Sequence, residues 1–320
     1  MNKVPRKTPY LQMIDGVPRS PLLKPEVYRA ASKFTPTAND VILVTYPKSG
    51  THWLSQIVVL VLNKGRSPRD LQDLARQVPA IEYHGVAASD RSPRLLCTHL
   101  PFGQLKYDKN AKYIYVARNP WDICVSFYHH VKQLPHYGFL DGTFEDFVEA
   151  FLKSKVGQLD HLDHVLSGYA RRDEPNVLFL TYEELRADTA GAVLKLARFL
   201  GEPYATMFDR DNGLMGAVLF KSSIDYMRRA HEVSREELDV IYNCSPISEE
   251  VEAEMKNTRN GTTRICVVRK GTAGDGQSNF SSELQEQMQA WINDKTRDSD
   301  VMSIWGNELT AKNVAQVARN

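Results

Sequence analysis

Four short apolar runs stand out in the first 200 residues: Val41–Tyr46, Leu95–Thr98, Tyr113–Ala117 and Val177–Thr181. Their lengths and bounding turn residues suit buried strands. Each is followed by a helical pattern instead of a two-residue turn, which predicts parallel strands joined by crossover helices. One helix is expected from about Thr51 to Asn63. Another starts at Pro120, where Asn119 suits an N-cap and proline a first helical position. Thr143 and Asp146 have capping-box spacing, and a further helix covers about Thr189–Leu200, closed by Gly201. The alternation over residues 41–200 predicts an α/β fold, a single three-layer domain with a central parallel sheet. After Gly201 the pattern turns mainly helical and loop-like, with Ile265–Val268 as a short strand. Residues 1–40 hold six of the sixteen prolines and read as an irregular N-terminal arm over the core. Residues 305–320 read as an extended C-terminal tail, and nothing between these ends cuts residues 1–320 into two domains.

Composition narrows the function classes without choosing one. A chain of 320 residues can bury roughly three quarters of its unfolded surface and needs no disulfide staples. Forty Lys+Arg against 39 Asp+Glu leave a formal charge of +1, which removes any global reason to expect a nucleic-acid partner and still allows a local anion site. Cys97, Cys124, Cys244 and Cys266 are widely spaced and read as free thiols of a reducing compartment. The amino terminus is broken by Pro5 and Pro9 and has no apolar run behind it, so no secretory signal is readable. The longest apolar run, Ile57–Leu62, is far below the roughly 20 residues a membrane span needs. A cytoplasmic protein with no membrane partner is expected, and the sequons at Asn243, Asn260 and Asn279 read as chance matches.

The chemistry concentrates where strands end. Tyr46-Pro47-Lys48-Ser49-Gly50-Thr51-His52-Trp53 joins a strand to a helix through a tight turn, a P-loop-like phosphate-binding strand–loop–helix. In a parallel sheet such a turn lies at the carboxyl edge, where ligands bind. The helix amino terminus there offers unpaired N–H donors. Gly50 permits close backbone approach, Lys48 brings a charge, and Ser49 and Thr51 bring hydroxyls. The lysine precedes the glycine, so this is not Walker A order. Arg118 ends the Tyr113–Ala117 strand at the same edge, with Ser126 two turns into the next helix, and arginine there suits bidentate phosphate binding. Arg269-Lys270-Gly271-Thr272-Ala273-Gly274-Asp275-Gly276 adds two cations before a glycine-rich loop. Three separate anion features imply a ligand with more than one phosphate-like group.

Together with Thr98-His99-Leu100-Pro101, these motifs resemble the cytosolic sulfotransferases, which use 3′-phosphoadenosine 5′-phosphosulfate (PAPS). The likeness spans about Tyr10–Phe280 in the expected order. It implies that Lys48, Ser49, Gly50, Thr51 and His52 hold the 5′-phosphosulfate, with Trp53 against adenine. It further implies that Arg118, Ser126, Arg269, Lys270 and Gly271 hold the 3′-phosphate, with Tyr182 and Ser222 near the nucleotide. Transfer would go to a small phenol, catecholamine or related alcohol, leaving 3′-phosphoadenosine 5′-phosphate (PAP). His99 would act as general base, Lys48 would stabilise the leaving phosphate, and Ser126 would assist; no metal is implied. Pro47, Tyr83, Phe102 and His130 are the expected walls of the acceptor pocket. The histidine pairs His129/His130 and His161/His164 lack a metal-ligand pattern.

The chain departs from the family at Cys97, where most members carry a lysine that steadies the sulfuryl group. Losing one preorganised electrostatic contact typically costs roughly 10²–10³ in turnover. Three readings stay open: a slower enzyme, one that recruits another cation such as Lys106, or a non-catalytic PAPS/PAP-binding protein. A kinase is the other rival, disfavoured by the loop order. Ile224 replaces an aromatic expected on the adenine, and Gln277–Glu286 only loosely matches the family's dimer motif, leaving the oligomeric state open.

Overall fold

The chain was described from a computed structural model, which places residues 8–86, 92–244, 265–266, 274 and 276–306. It enters through a hairpin of β1 (Gln12–Ile14) and β2 (Val17–Arg19), turned at Asp15-Gly16, and a helix α1 (Pro25–Lys33). Within residues 8–40 the arm is therefore ordered, not irregular: Pro25 starts a helix, and Ile14, Leu22, Leu23 and Tyr28 reach the core.

The central sheet consists of β3 (Asp40–Thr45), β4 (Arg94–Thr98), β5 (Lys112–Ala117) and β6 (Val177–Thr181). All pairings are parallel, in the order β4-β3-β5-β6. Three strands begin one residue before the apolar runs, at Asp40, Arg94 and Lys112; Asp40 and Arg94 pair in register and bond side chain to side chain at 2.6 Å. At the other end β3 stops at Thr45, since the Tyr46 carbonyl accepts the Ser49 N–H in the following turn.

Alternation along the strands splits the core in two. Val41, Leu43, Leu95, Ile114 and Val116 face one layer with Leu54, Ile57, Ile123 and Val193. Ile42, Val44, Leu96, Tyr113 and Tyr115 face the other with Ala31, Ile81, Val165 and Trp305. A parallel sheet buried on both faces is the three-layer arrangement that unbroken apolar strands require. On the first face lie α2 (Thr51–Leu62), α5 (Pro120–Gln133) and α9 (Thr189–Leu200). Asn119 caps α5 by accepting the Trp121 N–H at 3.0 Å, and Thr143 caps α6 (Phe144–Leu152) by accepting the Asp146 N–H at 3.1 Å. The connection from β3 to β4 carries α3 (Leu71–Gln77) and α4 (Ile81–His84), and α7 (His161–Tyr169) covers the second face.

After β6 come α8 (Tyr182–Ala187), α10 (Glu202–Arg210), α11 (Leu214–Lys221), α12 (Ile224–Ala230) and α13 (Arg235–Ile241). The strand expected at Ile265–Val268 exists at β8 (Ile265–Cys266), antiparallel to β7 (Glu232–Val233); Val267 and Val268 lie outside the described residues. A last helix, α14 (Ser282–Lys295), packs on α6 and α7. Trp305, where the tail was expected to begin, is buried, and its Nε1–H donates to Glu183 at 3.0 Å. No helix among the described residues is long and apolar enough to cross a membrane.

Candidate functional site

The β3–α2 loop is shaped by two left-handed residues, Lys48 (φ +71°) and Gly50 (φ +99°). The lysine is held there by its carbonyl, which accepts an N–H from Arg118 Nη1 at 2.9 Å. Gly50 is required by close approach as well as by φ: a Cβ there would lie 2.8 Å from Tyr182 Cδ2. Tyr182 in turn lies under the Arg118 guanidinium, 4.1 Å from ring centroid to Cζ, and meets Trp53 edge-on at 5.4 Å. Gly50 and Trp53, Arg118, and Tyr182, from three separate stretches of sequence, thus form one stacked unit at the carboxyl edge of the sheet. Beside it, Ser49 Oγ and Trp53 Nε1 are buried without a hydrogen-bond partner. Buried polar atoms normally find partners, so an orphaned hydroxyl and indole N–H beside a helix amino terminus fit a phosphate-bearing aromatic ligand.

The glycine-rich loop reaches the same place. Asp122, one turn after Arg118, accepts the Gly274 N–H at 2.6 Å and the Gly276 N–H at 2.8 Å. Gly276 is so close to α5 that a Cβ would sit 2.7 Å from Asp122 N. The end of the 269–276 segment is therefore fastened beside Arg118; Arg269, Lys270 and Gly271 themselves lie outside the described residues. Asp122, in the first turn of α5, was not marked by its local sequence, because its partners Gly274 and Gly276 lie 152 and 154 residues away.

A cavity of about 470 Å³ opens from this edge, within the size range of small-molecule sites. Lys48, Gly50, Thr51, His52, Trp53, Arg118, Ser126, Tyr182, Ser222 and Ile224 line it at one end or along its walls. His99, Cys97, Pro47, Tyr83 and His130 line it too, so one space brings together the expected nucleotide and acceptor residues. Ser126 and His130 share a face of α5, one turn apart. Two expected residues among those described do not line the cavity: Ser49 is fully buried within the loop, and Phe102 corrects the expected wall. It is buried on the opposite face of the sheet, in contact with Tyr107, Tyr113 and Tyr115, because the chain turns there after Pro101. Lys106 is exposed and does not line the cavity, so it is no replacement cation for Cys97. Unforeseen walls come from Tyr137, Ile241 and Tyr242, supplied by a loop and by α13, which no local spacing connects to the sheet.

His99 sits just past β4. Its Nδ1–H donates to the Thr45 carbonyl at 2.8 Å. A carbonyl can only accept, so in the neutral ring the proton is on Nδ1 and Nε2 keeps its lone pair. Burial and the Lys48 charge push this histidine below its ordinary pKa, against an upward pull from Glu82, which keeps it neutral near pH 7. The turn that holds it is built by Glu82, whose Oε1 accepts the His99 N–H at 2.5 Å, the Leu100 N–H at 3.0 Å and the Thr98 hydroxyl. Glu82 lies on α4, and nothing in its sequence surroundings marked it. His52 is pushed down to about 3 and His130 well down, burial being the main cause for both, so both rings are neutral. His161 and His164, the other histidine pair, pack edge-on against Tyr46 at 4.9 and 5.7 Å, and His164 Nδ1 meets the Tyr115 hydroxyl at 2.6 Å.

A family model for the sulfotransferase domain matches residues 38–300. The chain belongs to the sulfotransferase family. It is 32% identical over 271 residues to sulfotransferase 1B1 of Mus musculus, covering 81% of this chain and 83% of that one. To the amine sulfotransferase of Oryctolagus cuniculus it is 30% identical over 275 residues, covering 83% and 84%. Among solved structures it resembles a mouse sulfotransferase complexed with PAP, with TM-score 0.69 and 25% identity over 93% of this chain and 99% of that one. The fold is also that of a retinol dehydratase solved with androsterone and PAP (TM-score 0.62, 22% identity, 86% and 84% covered).

Within this sulfotransferase Cys97 occupies β4 one strand-face repeat before His99, its Sγ 3.7 Å from the Val78 carbonyl. Burial pushes the thiol pKa far up, so the residue is neutral and lends no charge to the cavity. Cys97, Cys124 and Cys244 are all free thiols.

Proposed function

We propose that this sulfotransferase moves the sulfuryl group of PAPS to a hydroxyl of a small phenol, catecholamine or related alcohol, with His99 as general base. The observation that carries the reading is the His99 Nδ1–H bond to Thr45, which leaves Nε2 as the unprotonated nitrogen of a ring that lines the cavity shared with the phosphate loop. PAPS, when bound, supplies the sulfuryl group on a phosphate leaving group. The loop Lys48–Trp53 would hold its 5′ end, with Thr51, which lines the cavity, as a hydroxyl donor. Arg118, Ser126, Arg269, Lys270 and Gly271 would hold the 3′-phosphate, with Tyr182 and Ser222 beside the nucleoside. His99 takes the acceptor's proton at Nε2, and Lys48 offsets the negative charge that grows on the leaving oxygen. Sulfuryl transfer is akin to phosphoryl transfer: the protein contributes alignment and charge. The apolar end of the cavity, with Leu22, Tyr83, Tyr137 and Tyr242, suits a ring-bearing acceptor, and the near-neutral charge supports neither a nucleic-acid nor a membrane partner.

The test is His99→Gln. Glutamine can still donate toward Thr45 and has no basic lone pair. Transfer should fall at least 10³-fold, in the range of a lost general base or more, while calorimetric PAP affinity stays within about threefold. Substantial transfer by this variant would remove the base assignment. Cys97 motivates a second reading, a PAP-binding protein without turnover; PAP binding with no transfer to any acceptor would select it.

A further inference from the structure

Next in the chain to the cavity residues Tyr137, Ile241 and Tyr242, three ligating groups of different chemistry converge. They are the imidazole of His136, the carboxylate of Asp239 and the thiol of Cys244, with ligand atoms all within 4.8 Å of one another. We propose that His136, Asp239 and Cys244 form a binding site for a zinc-class divalent cation that ties α13 to the end of α5.

The chain is built to bring the three together. His136 sits in the short 3-10 turn Pro135–Tyr137 that closes α5. Asp239 is on α13, and Cys244 returns over it because Asn243 adopts φ +51° and the Cys244 N–H bonds the Asp239 carbonyl at 3.0 Å. That return is fixed from outside: the Asn243 amide donates to the Tyr83 carbonyl at 3.1 Å and accepts from Lys24 Nζ at 2.6 Å. His84 Nε2 meets the Ile241 carbonyl as well. The two backbones that carry the ligands are thus already positioned, and only side-chain adjustment remains.

The donor set selects the metal. One nitrogen, one oxygen and one sulfur suit Zn²⁺ and its substitutes Co²⁺ and Cd²⁺, whereas Mg²⁺ and Ca²⁺ take oxygen ligands. Tetrahedral zinc with bonds of about 2.0–2.3 Å sets its ligands about 3.5 Å apart, so the three groups must close by roughly 1 Å. Three protein ligands leave a fourth position for water. Asp239 and Cys244 are half-buried, which leaves an approach from solvent, while His136 is buried. On binding, the sulfur–metal bond replaces the thiol S–H, and the proton passes to solvent. The ligands' neighbours Tyr137, Ile241 and Tyr242 line the cavity, so the ion would brace its wall. The metal site stands on this cluster alone and does not depend on which acceptor, or whether any acceptor, is used.

The experiment titrates the full-length, chelator-treated protein with Co²⁺, followed by equilibrium dialysis with Zn²⁺. The expected result is a thiolate-to-cobalt charge-transfer band with tetrahedral visible bands at one equivalent, abolished by one equivalent of Zn²⁺. Cys244→Ser should lose the charge-transfer band and bind Zn²⁺ at least tenfold more weakly, and Asp239→Asn and His136→Gln should each weaken Zn²⁺ at least tenfold. Cys97→Ser should keep the band. Circular dichroism and PAP calorimetry on each variant separate lost ligands from lost fold. The proposal is overturned if the protein shows no charge-transfer band, or if the band and the Zn²⁺ affinity survive Cys244→Ser in folded protein. Retained Zn²⁺ affinity in folded Asp239→Asn and His136→Gln would equally overturn it.

Discussion

Gly50→Ala probes the stacked unit on which the nucleotide reading depends. The substitution carries two separable penalties. Alanine at φ +99° costs about 1–2 kcal/mol of backbone strain. Its Cβ would also stand 2.8 Å from Tyr182 Cδ2 and 3.2 Å from Cε2. That ring cannot simply retreat, because Arg118 and Trp53 back it at 4.1 and 5.4 Å. Overpacking of this kind adds about 1–3 kcal/mol. The total, about 2–5 kcal/mol, should lower Tm by roughly 4–10 °C at about 2 °C per kcal/mol for a large domain. Gly16→Ala is the internal control: φ is +78°, yet no atom lies within 4 Å of the new Cβ. It carries strain alone and should lower Tm by only about 2–4 °C. Displacing Tyr182 also shifts the guanidinium above it, so Gly50→Ala should bind PAP at least tenfold more weakly, about 1.4 kcal/mol, while Gly16→Ala binds normally. Differential scanning calorimetry and titration calorimetry read both quantities. A Gly50→Ala protein that melts with Gly16→Ala and binds PAP like the parent would refute the reasoning.

Other expectations follow from the same geometry. Because His99 is held below its ordinary pKa of 6.5 and acts unprotonated, kcat should rise with pH along a limb centred below 6.5 and be flat from pH 7 to 8; a limb centred above 7 contradicts the assignment. Cys97→Lys puts a cation back on the cavity wall and should raise turnover by up to about 10², measured as initial rates at saturating PAPS; a collapse of turnover would show a site organised around the thiol. Glu183 accepts the Asn119 N–H and the Trp305 indole, and burial raises its pKa from 4.5 to about 7. A raised carboxyl pKa means the folded state holds the proton more tightly. Its stabilising contribution is full below pH 4.5 and falls as pH climbs through 7, by about 3 kcal/mol in all. Glu183→Gln should flatten that part of the stability–pH curve, and an unchanged slope in chemical denaturation from pH 5 to 8 would contradict it.

How far the sequence reached depended on how local each signal was. The strands of the sheet were legible because burial on both faces leaves mostly apolar side chains, and only their charged first residues, Asp40, Arg94 and Lys112, escaped. Asn119 and Thr143 declared their helices through capping, which acts over two or three residues. Lys48, Gly50, Arg118 and His99 could be placed at one edge because a parallel sheet puts all its carboxyl ends together. Phe102 went the other way for a reason of the same kind: after Pro101 the chain turns across the sheet edge, and no periodicity records which side it takes. Glu82, Tyr137 and Tyr242 were invisible because their roles arise from packing between segments separated by many residues. The arm's helix α1 was hidden by its prolines, read as breakers when Pro25 in fact occupies a first helical position.

The central claim is sulfuryl transfer at the His99 cavity. Its most direct test is transfer of labelled sulfate from PAPS to a panel of phenols, catecholamines, sterols and amines, run beside calorimetric binding of PAP. The account predicts PAP binding together with transfer to at least one hydroxyl acceptor. No PAP binding, or binding with no transfer to any acceptor, would contradict it.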